Sequence, residues 1–140
     1  MWKEDCQINQ SSLDGATVKN AIHHQKYLEM LSLTRLKHRK KEQELQILMK
    51  DKFLYYSGKM TQQEMDDRGW PYDPFNGCVK PLKGDMDFWF NSDKDIQTAK
   101  LTIEYLKVLF ETLEEILENI KWRHQHIKNI LDFRKFEAGV

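Results

Sequence analysis

Residues 96–131 read IQTAKLTIEYLKVLFETLEEILENIKWRHQHIKNIL, and the spacing of their apolar side chains decides the fold. Ile96, Ala99, Ile103, Leu106, Phe110, Leu113, Leu117, Ile120, His124, Ile127 and Leu131 recur at alternating steps of three and four over about five heptads. This is the seam of a long, coiled-coil-like helix. Leu109, Ile116 and Ile130 lie beside the seam and widen the apolar stripe past what a two-stranded coil buries. The helix is therefore expected to pack in a multi-helix bundle within the chain or against copies of itself. Ile103, Leu106, Phe110, Leu113, Leu117, Ile120, Ile127 and Leu131 are the candidate assembly residues, and His124 is expected to make a polar seam contact that sets register. Just upstream, Ser92-Asp93-Lys94-Asp95 fits the capping box S-x-x-[DE], which predicts the helix start.

Working towards the N-terminus, four of the six glycines and all three prolines fall between positions 58 and 84, so that stretch is read as a connector. From Ala16 to Ser57 there is neither Gly nor Pro, with Asp14 as a candidate N-cap and Gly58 as a stop. One long helix or two nearly continuous ones are predicted there. The wholly polar run Lys37-His38-Arg39-Lys40-Lys41-Glu42-Gln43-Glu44 separates its two apolar clusters and has no core to face. The class is all-α, in three segments: a basic helical region at 1–60, a connector at 61–91 and an assembly region at 92–140. The connector is aromatic (Trp70, Tyr72, Phe75, then Phe88-Trp89-Phe90). Its last three rings are expected to form a short extended piece that pins the loop onto the helices.

The 140 residues carry no net charge, yet the charge is segregated. Residues 1–60 total +4 and residues 61–95 total −4, and between positions 35 and 59 the local excess reaches +5. Such a patch suits a polyanion, because each Lys or Arg that neutralises a phosphate releases condensed counterion. No run approaches the roughly 18 apolar residues of a membrane span. Met1-Trp2-Lys3-Glu4-Asp5-Cys6 has acids but no apolar stretch, so the chain is expected to act where it is made. Cys6 and Cys78 sit in unlike contexts and are read as reduced thiols. His23-His24 and His124-Gln125-His126 lack the i, i+4 spacing of a helical metal pair, so neither metal nor cofactor is assigned. Nucleophile elbows and phosphate-binding glycine loops are missing, and no catalytic residue is assigned.

One cluster carries usable chemistry. In Lys50-Asp51-Lys52-Phe53-Leu54-Tyr55-Tyr56-Ser57-Gly58-Lys59, helical spacing puts Lys52 with Tyr55 and Tyr56 on a common face, with Lys59 close behind. Single-stranded nucleic acid is held by that combination, since an ammonium grips phosphate while a ring stacks on an unpaired base. The competing reading makes Phe53 and Tyr56 core, with the lysines snorkelling from it. Arg39, Lys40 and Lys41 extend the basic surface.

The segment Lys50-x-Lys52-x-x-Tyr55-Tyr56-Ser57-Gly58, the helix entry 92–95 and the ending Arg134-x-Phe136-Glu137-Ala138-Gly139 together resemble the UvsY-type recombination mediators of T4-like bacteriophages. The resemblance implies an all-helical, non-catalytic protein that forms a homo-oligomeric ring, a hexamer or heptamer, in the cytoplasm of an infected bacterial host. It implies binding of single-stranded DNA, contact with the phage single-strand DNA-binding protein and a RecA-like recombinase, and help in loading the second where the first was bound. It places the DNA-binding motif on Lys50, Lys52, Tyr55 and Tyr56. Lys52 stands where that family often has Arg, and Asp51 where it has a small neutral residue. The heptads alone equally support a structural coiled-coil protein without a nucleic-acid partner.

Overall fold

The computed structural model describes residues 1–5, 13–75, 77, 80 and 82–139. Among them there is no strand. The elements are α1 (Trp2–Asp5), α2 (Leu13–Tyr56), α3 (Gln62–Arg68), a 3-10 turn (Lys83–Asp85), α4 (Met86–Ser92) and α5 (Lys94–Glu137). The chain is all-α, and α2 is one uninterrupted helix. It starts at Leu13, so Asp14 lies inside the first turn rather than capping it; the Asp14 side chain and both cysteines lie outside the described residues. The predicted stop is present. Gly58 adopts φ +73, and the Gly58 and Lys59 amides donate to the Tyr55 and Leu54 carbonyls at 3.2 and 2.9 Å, a pair of bonds that satisfies the orphan acceptors of the last turn.

The molecule divides into two compact units, Met1–Lys37 with Leu106–Val140, and His38–Tyr105. In the first, Tyr27 and Leu31 of α2 bury against Leu113 and Ile120 of α5, while Ala16 meets Ile127. The low-numbered end of α2 thus meets the high-numbered end of α5, and the two segments run antiparallel. The heptad seam is therefore filled partly from within the chain. Leu113, Ile120 and Ile127, expected between subunits, are covered by α2, whereas Phe110, Leu117 and Leu131 remain partly exposed along its edge. His124 is exposed and takes no place in that core, because Arg123 and Ile127 turn inward on either side of it. Helix α1 is tied down by Asp5. Its carboxylate accepts from Lys26 Nζ and Tyr27 Oη, both at 2.7 Å, and its carbonyl accepts from Arg123 Nη1 at 2.7 Å.

The second unit is built on an aromatic and methionine core of Tyr55, Tyr56, Met60, Met65, Phe75 and Met86, with Trp70, Trp89 and Phe90 packed against it. The connector does pin itself to the helix by its rings, but not as extended chain. Residues 86–92 form α4, because Met86, Trp89 and Phe90 stand at i, i+3, i+4 and reach the core together, leaving Phe88 outside. Helix α3 begins at a capping box that the sequence reading passed over: Thr61 Oγ1 accepts from the Glu64 amide at 3.2 Å and Glu64 Oε2 accepts from the Thr61 amide at 3.0 Å. Helix α5 begins one residue later than expected. Asp93, not Ser92, caps it, with Oδ1 accepting from the Ile96 amide at 3.0 Å. Ser92 closes α4 instead, its hydroxyl donating back to Phe88 O at 2.9 Å.

Candidate nucleic-acid interface

The last two turns of α2 carry the motif picked out from sequence, and the second unit sorts its residues into two opposite groups. On the inner face, Lys52 retains 3% of its surface, Tyr55 3% and Tyr56 6%. Lys52 Nζ lies 3.0 Å from Asp93 Oδ2 and 2.9 Å from Asp95 Oδ2, both at the entry of α5. It also stands 3.8 Å from the centroid of the Trp70 ring, and the indole Nε1 donates to Asp95 Oδ2 at 3.1 Å. Tyr56 Oη donates to Asp93 Oδ2 at 2.5 Å, and Tyr55 Oη donates to the Pro71 carbonyl. Asp51 pairs with Arg68 Nη1 at 2.7 Å, and that guanidinium sits 5.3 Å from the Trp70 centroid.

The electrostatics follow from this wiring. Burial acts to raise the Asp93 carboxyl, but the Tyr56 hydroxyl, the Ile96 amide and the Lys52 ammonium outweigh it and hold the group below its ordinary value. Burial, then the bond to Asp93, pushes the Tyr56 phenol far above its ordinary range, so it is a permanent donor. The result is an ion triad of one cation and two carboxylates that fastens α5 to α2. Asp51, the acid within the motif, is paired with Arg68 of α3.

This arrangement corrects the reading in which Lys52, Tyr55 and Tyr56 form an open face. The three do stand together, as the helical spacing requires, but the connector and the α5 entry fold over them. The alternative reading is half right: Tyr56 is core, whereas Phe53 keeps 41% of its surface. A cleft of about 590 Å³ opens beside the triad, lined in part by Arg68, Trp70, Asp73, Lys94 and Asp95. With Lys52 and Asp93 also on its wall, its three acids balance its three cations, so it offers a phosphate no net attraction.

The outer group is the cationic one. Arg39, Lys40, Lys41, Lys50 and Lys59 are all exposed. Lys41 bonds Glu44 at 2.9 Å and Lys40 acts on the same carboxylate through its charge, while Arg39, Lys50 and Lys59 form no ion pair among the described residues. Residues 39, 43, 46, 50 and 53 stand at i, i+4, i+7, i+11 and i+14, which is one stripe of an α-helix, and every one of them is exposed. That stripe lies opposite Lys52 and Tyr55. The sequence reading named Arg39 and Lys50 but missed Phe53 as an outward ring; the signal was its place three residues after Lys50, on the face opposite Tyr55.

Among the described residues no group of three His, Cys, Asp or Glu is set to hold a metal, and no helix is long and apolar enough to cross a membrane.

An all-helical scaffold that bares Arg39 and Lys50 on one stripe of α2, with Lys40, Lys41 and Lys59 exposed around it, has the construction of a nucleic-acid-binding protein. The family model for UvsY, the recombination, repair and ssDNA binding protein, matches residues 1–140, and the chain belongs to that family. It is 28% identical over 138 residues to the recombination protein uvsY of Enterobacteria phage T4, an alignment covering 98% of this chain and 92% of the relative. Two crystal structures of the bacteriophage T4 recombination mediator protein UvsY superpose with a TM-score of 0.80. Lattice type II shares 26% identity over 98% of this chain and 92% of that one, and lattice type I shares 25% over 97% and 95%.

Proposed function

We propose that this protein is a recombination mediator that binds single-stranded DNA through the outer face of α2. In that role it helps load a RecA-like phage recombinase onto strands covered by the phage single-strand DNA-binding protein, in the cytoplasm of the infected bacterial host. The observation that carries the reading is the set of exposed cations without an ion pair among the described residues, Arg39, Lys50 and Lys59, with Lys40 exposed beside them, in a chain that matches the family throughout. Lys41, exposed on another side of the helix and bonded to Glu44, adds to the basic character of α2. Lys52, Tyr55 and Tyr56 belong to the site as its foundation, holding α2 against the connector and the α5 entry so that the outer cations keep their places. No catalytic step is assigned.

The working form is a homo-oligomer, a hexamer or heptamer ring. Two features support assembly. Val18, Ile22, Leu33 and Leu36 stand 60 to 65% exposed on the α2 face opposite the core of the first unit, an apolar stripe that water disfavours. On α5, the partly buried Ile103, Leu106, Phe110, Leu117 and Leu131 remain available beside Leu113, Ile120 and Ile127, which α2 has covered. A ring sets many weak cationic faces against one strand, so affinity multiplies through effective concentration.

The test is fluorescence anisotropy of a labelled oligonucleotide across a salt series. Affinity for single strands should fall steeply with salt, with a log-log slope of roughly 0.7 per phosphate contacted. Lys50→Ala should lower both affinity and slope. A salt-insensitive complex, or none, would refute DNA binding by this face. A recombinase-loading assay on protein-coated strands, unaffected by adding the protein, would refute the mediator role.

A further inference from the structure

Of the rings that the motif brings together, two are enclosed and one is not. Tyr55 and Tyr56 are spent on the core and on hydrogen bonds to Pro71 and Asp93. Phe53, from the same two turns, points away from Tyr55 and ends the stripe that Arg39 and Lys50 occupy, with Gln43 and Gln46 between them. Arg39 to Phe53 spans about 21 Å of helix, enough for several nucleotides of an extended strand, and Lys50 lies about 4.5 Å below Phe53 along the axis. A cation one turn from an exposed ring is the pairing that holds an unpaired base, the ammonium on the phosphate and the ring on the base face.

The other exposed aromatics of this unit fail that requirement. Tyr72, 56% exposed, donates its hydroxyl to Asp66 at 2.6 Å and so stands in an acidic setting. Phe88, 73% exposed, is flanked by Asp85 and Asp87. Tyr105, 67% exposed, shares its face with Leu101 one turn before it rather than with a cation. A polyanion is repelled or ignored at all three. Phe53 is the exposed ring of this unit that a strand meets on a cationic face.

Resting on the DNA-binding reading above, we infer that Phe53, not Tyr55 or Tyr56, is the base-stacking residue of this protein. The stripe Arg39, Gln43, Gln46, Lys50 and Phe53 is then the track of the strand, with two cations for phosphates, two amides able to bond phosphate or base edges, and one ring at the end. Recognition is of unpaired bases without regard to sequence, since every base has a π-face.

The experiment compares the full-length wild type with Phe53→Leu and Phe53→Trp, using a labelled oligothymidine and an abasic oligonucleotide of equal length. Leucine keeps a large apolar side chain and removes the ring. Phe53→Leu should weaken oligothymidine binding by about fivefold to a hundredfold. It should leave abasic binding, the salt slope, the unfolding midpoint and the mass in solution unchanged, and Phe53→Trp should restore affinity. Ultraviolet cross-linking of 5-iodouracil-substituted oligothymidine should place the adduct on Phe53. If Phe53→Leu binds both oligonucleotides as the wild type does, or the cross-link falls on Tyr55 or Tyr56, the inference is overturned. A drop in mass for Phe53→Leu would also overturn it, by assigning the ring to a contact between copies. Failure of the broader reading looks different: no salt-dependent binding by the wild type, and no effect of Lys50→Ala.

Discussion

Replacing Lys52 by Met removes the cation from the triad while keeping an apolar stem of similar length, and the structure sets the size of the effect. The Asp93 side chain is 5% exposed and the Asp95 side chain 54%. The Asp95 contact is therefore worth at most about 1 kcal/mol, as for other surface pairs. The Asp93 contact is the buried one, and removing one partner of a buried pair costs about 3 to 5 kcal/mol. Protonation sets a ceiling. A carboxyl with an ordinary value near 4 takes up a proton at pH 7 for about 4 kcal/mol, so the stranded Asp93 relieves itself rather than exceed that. Lys52→Met should therefore destabilise by about 3 to 4 kcal/mol, or lower the melting temperature by roughly 10 °C in a chain of this size.

Urea unfolding followed by circular dichroism at one fixed protein concentration measures the loss, and its pH dependence identifies the cause. In the wild type the lowered Asp93 value contributes stability that is present above the unfolded carboxyl range and is lost as pH falls through the folded value. Without Lys52 the folded value rises, so the deficit of the variant should shrink between pH 7 and pH 4. DNA affinity, measured where the variant is still folded, should fall little. An unfolding midpoint within about 0.5 kcal/mol of wild type, together with a large loss of DNA affinity, would refute the reasoning and put Lys52 on the strand.

Two further outcomes follow from the first unit. Ile120 is 1% exposed between α2 and α5, so Ile120→Ala should cost about 3 kcal/mol in urea unfolding through lost burial and the cavity left behind; a loss below about 1 kcal/mol would mean the site collapses or the helices part there. The bonds from Lys26 and then Tyr27 hold Asp5 down to about 2 from an ordinary 3.8, which makes its contribution complete above about pH 4 and lost as pH falls through about 2. Asp5→Asn should be less stable than wild type at pH 7 and match it near pH 2, and an equal deficit at both would assign the effect to packing instead.

Local signals in the sequence were read well where they act locally. The apolar heptads, the Gly58 stop and the pinning rings of the connector are all present because each depends on neighbours within a turn or two. The same kind of local signal marks α3, where Thr61 and Glu64 form the capping pair that the S-x-x-[DE] pattern predicts at 92–95. Phe88-Trp89-Phe90 misled because three adjacent rings favour extended chain by propensity, whereas Met86, Trp89 and Phe90 together supply a helical face and the core they reach overrides propensity. The fate of Lys52 was out of reach for a different reason. Helical spacing fixes which residues share its side of α2, but its partners are Asp93 and Asp95, about forty positions away, and only the folded chain brings them in.

That placement also resolves how a chain without net charge can offer a basic surface. The segment 61–95 carries an excess of acid, and two of its carboxylates, Asp93 and Asp95, are drawn onto Lys52. The one acid within the motif, Asp51, is drawn onto Arg68. Each pairing takes negative charge to the inner face of α2, so Arg39, Lys50 and Lys59 are left outside without an ion pair among the described residues. Were Lys52 turned outward to meet a strand, Asp93 and Asp95 would lose their cation beside the same helix end, and two uncompensated carboxylates would oppose the phosphate the lysine had gone to hold. Burying one lysine of the motif therefore keeps Asp93 and Asp95 on the inner face of α2 and away from the cations of the outer one.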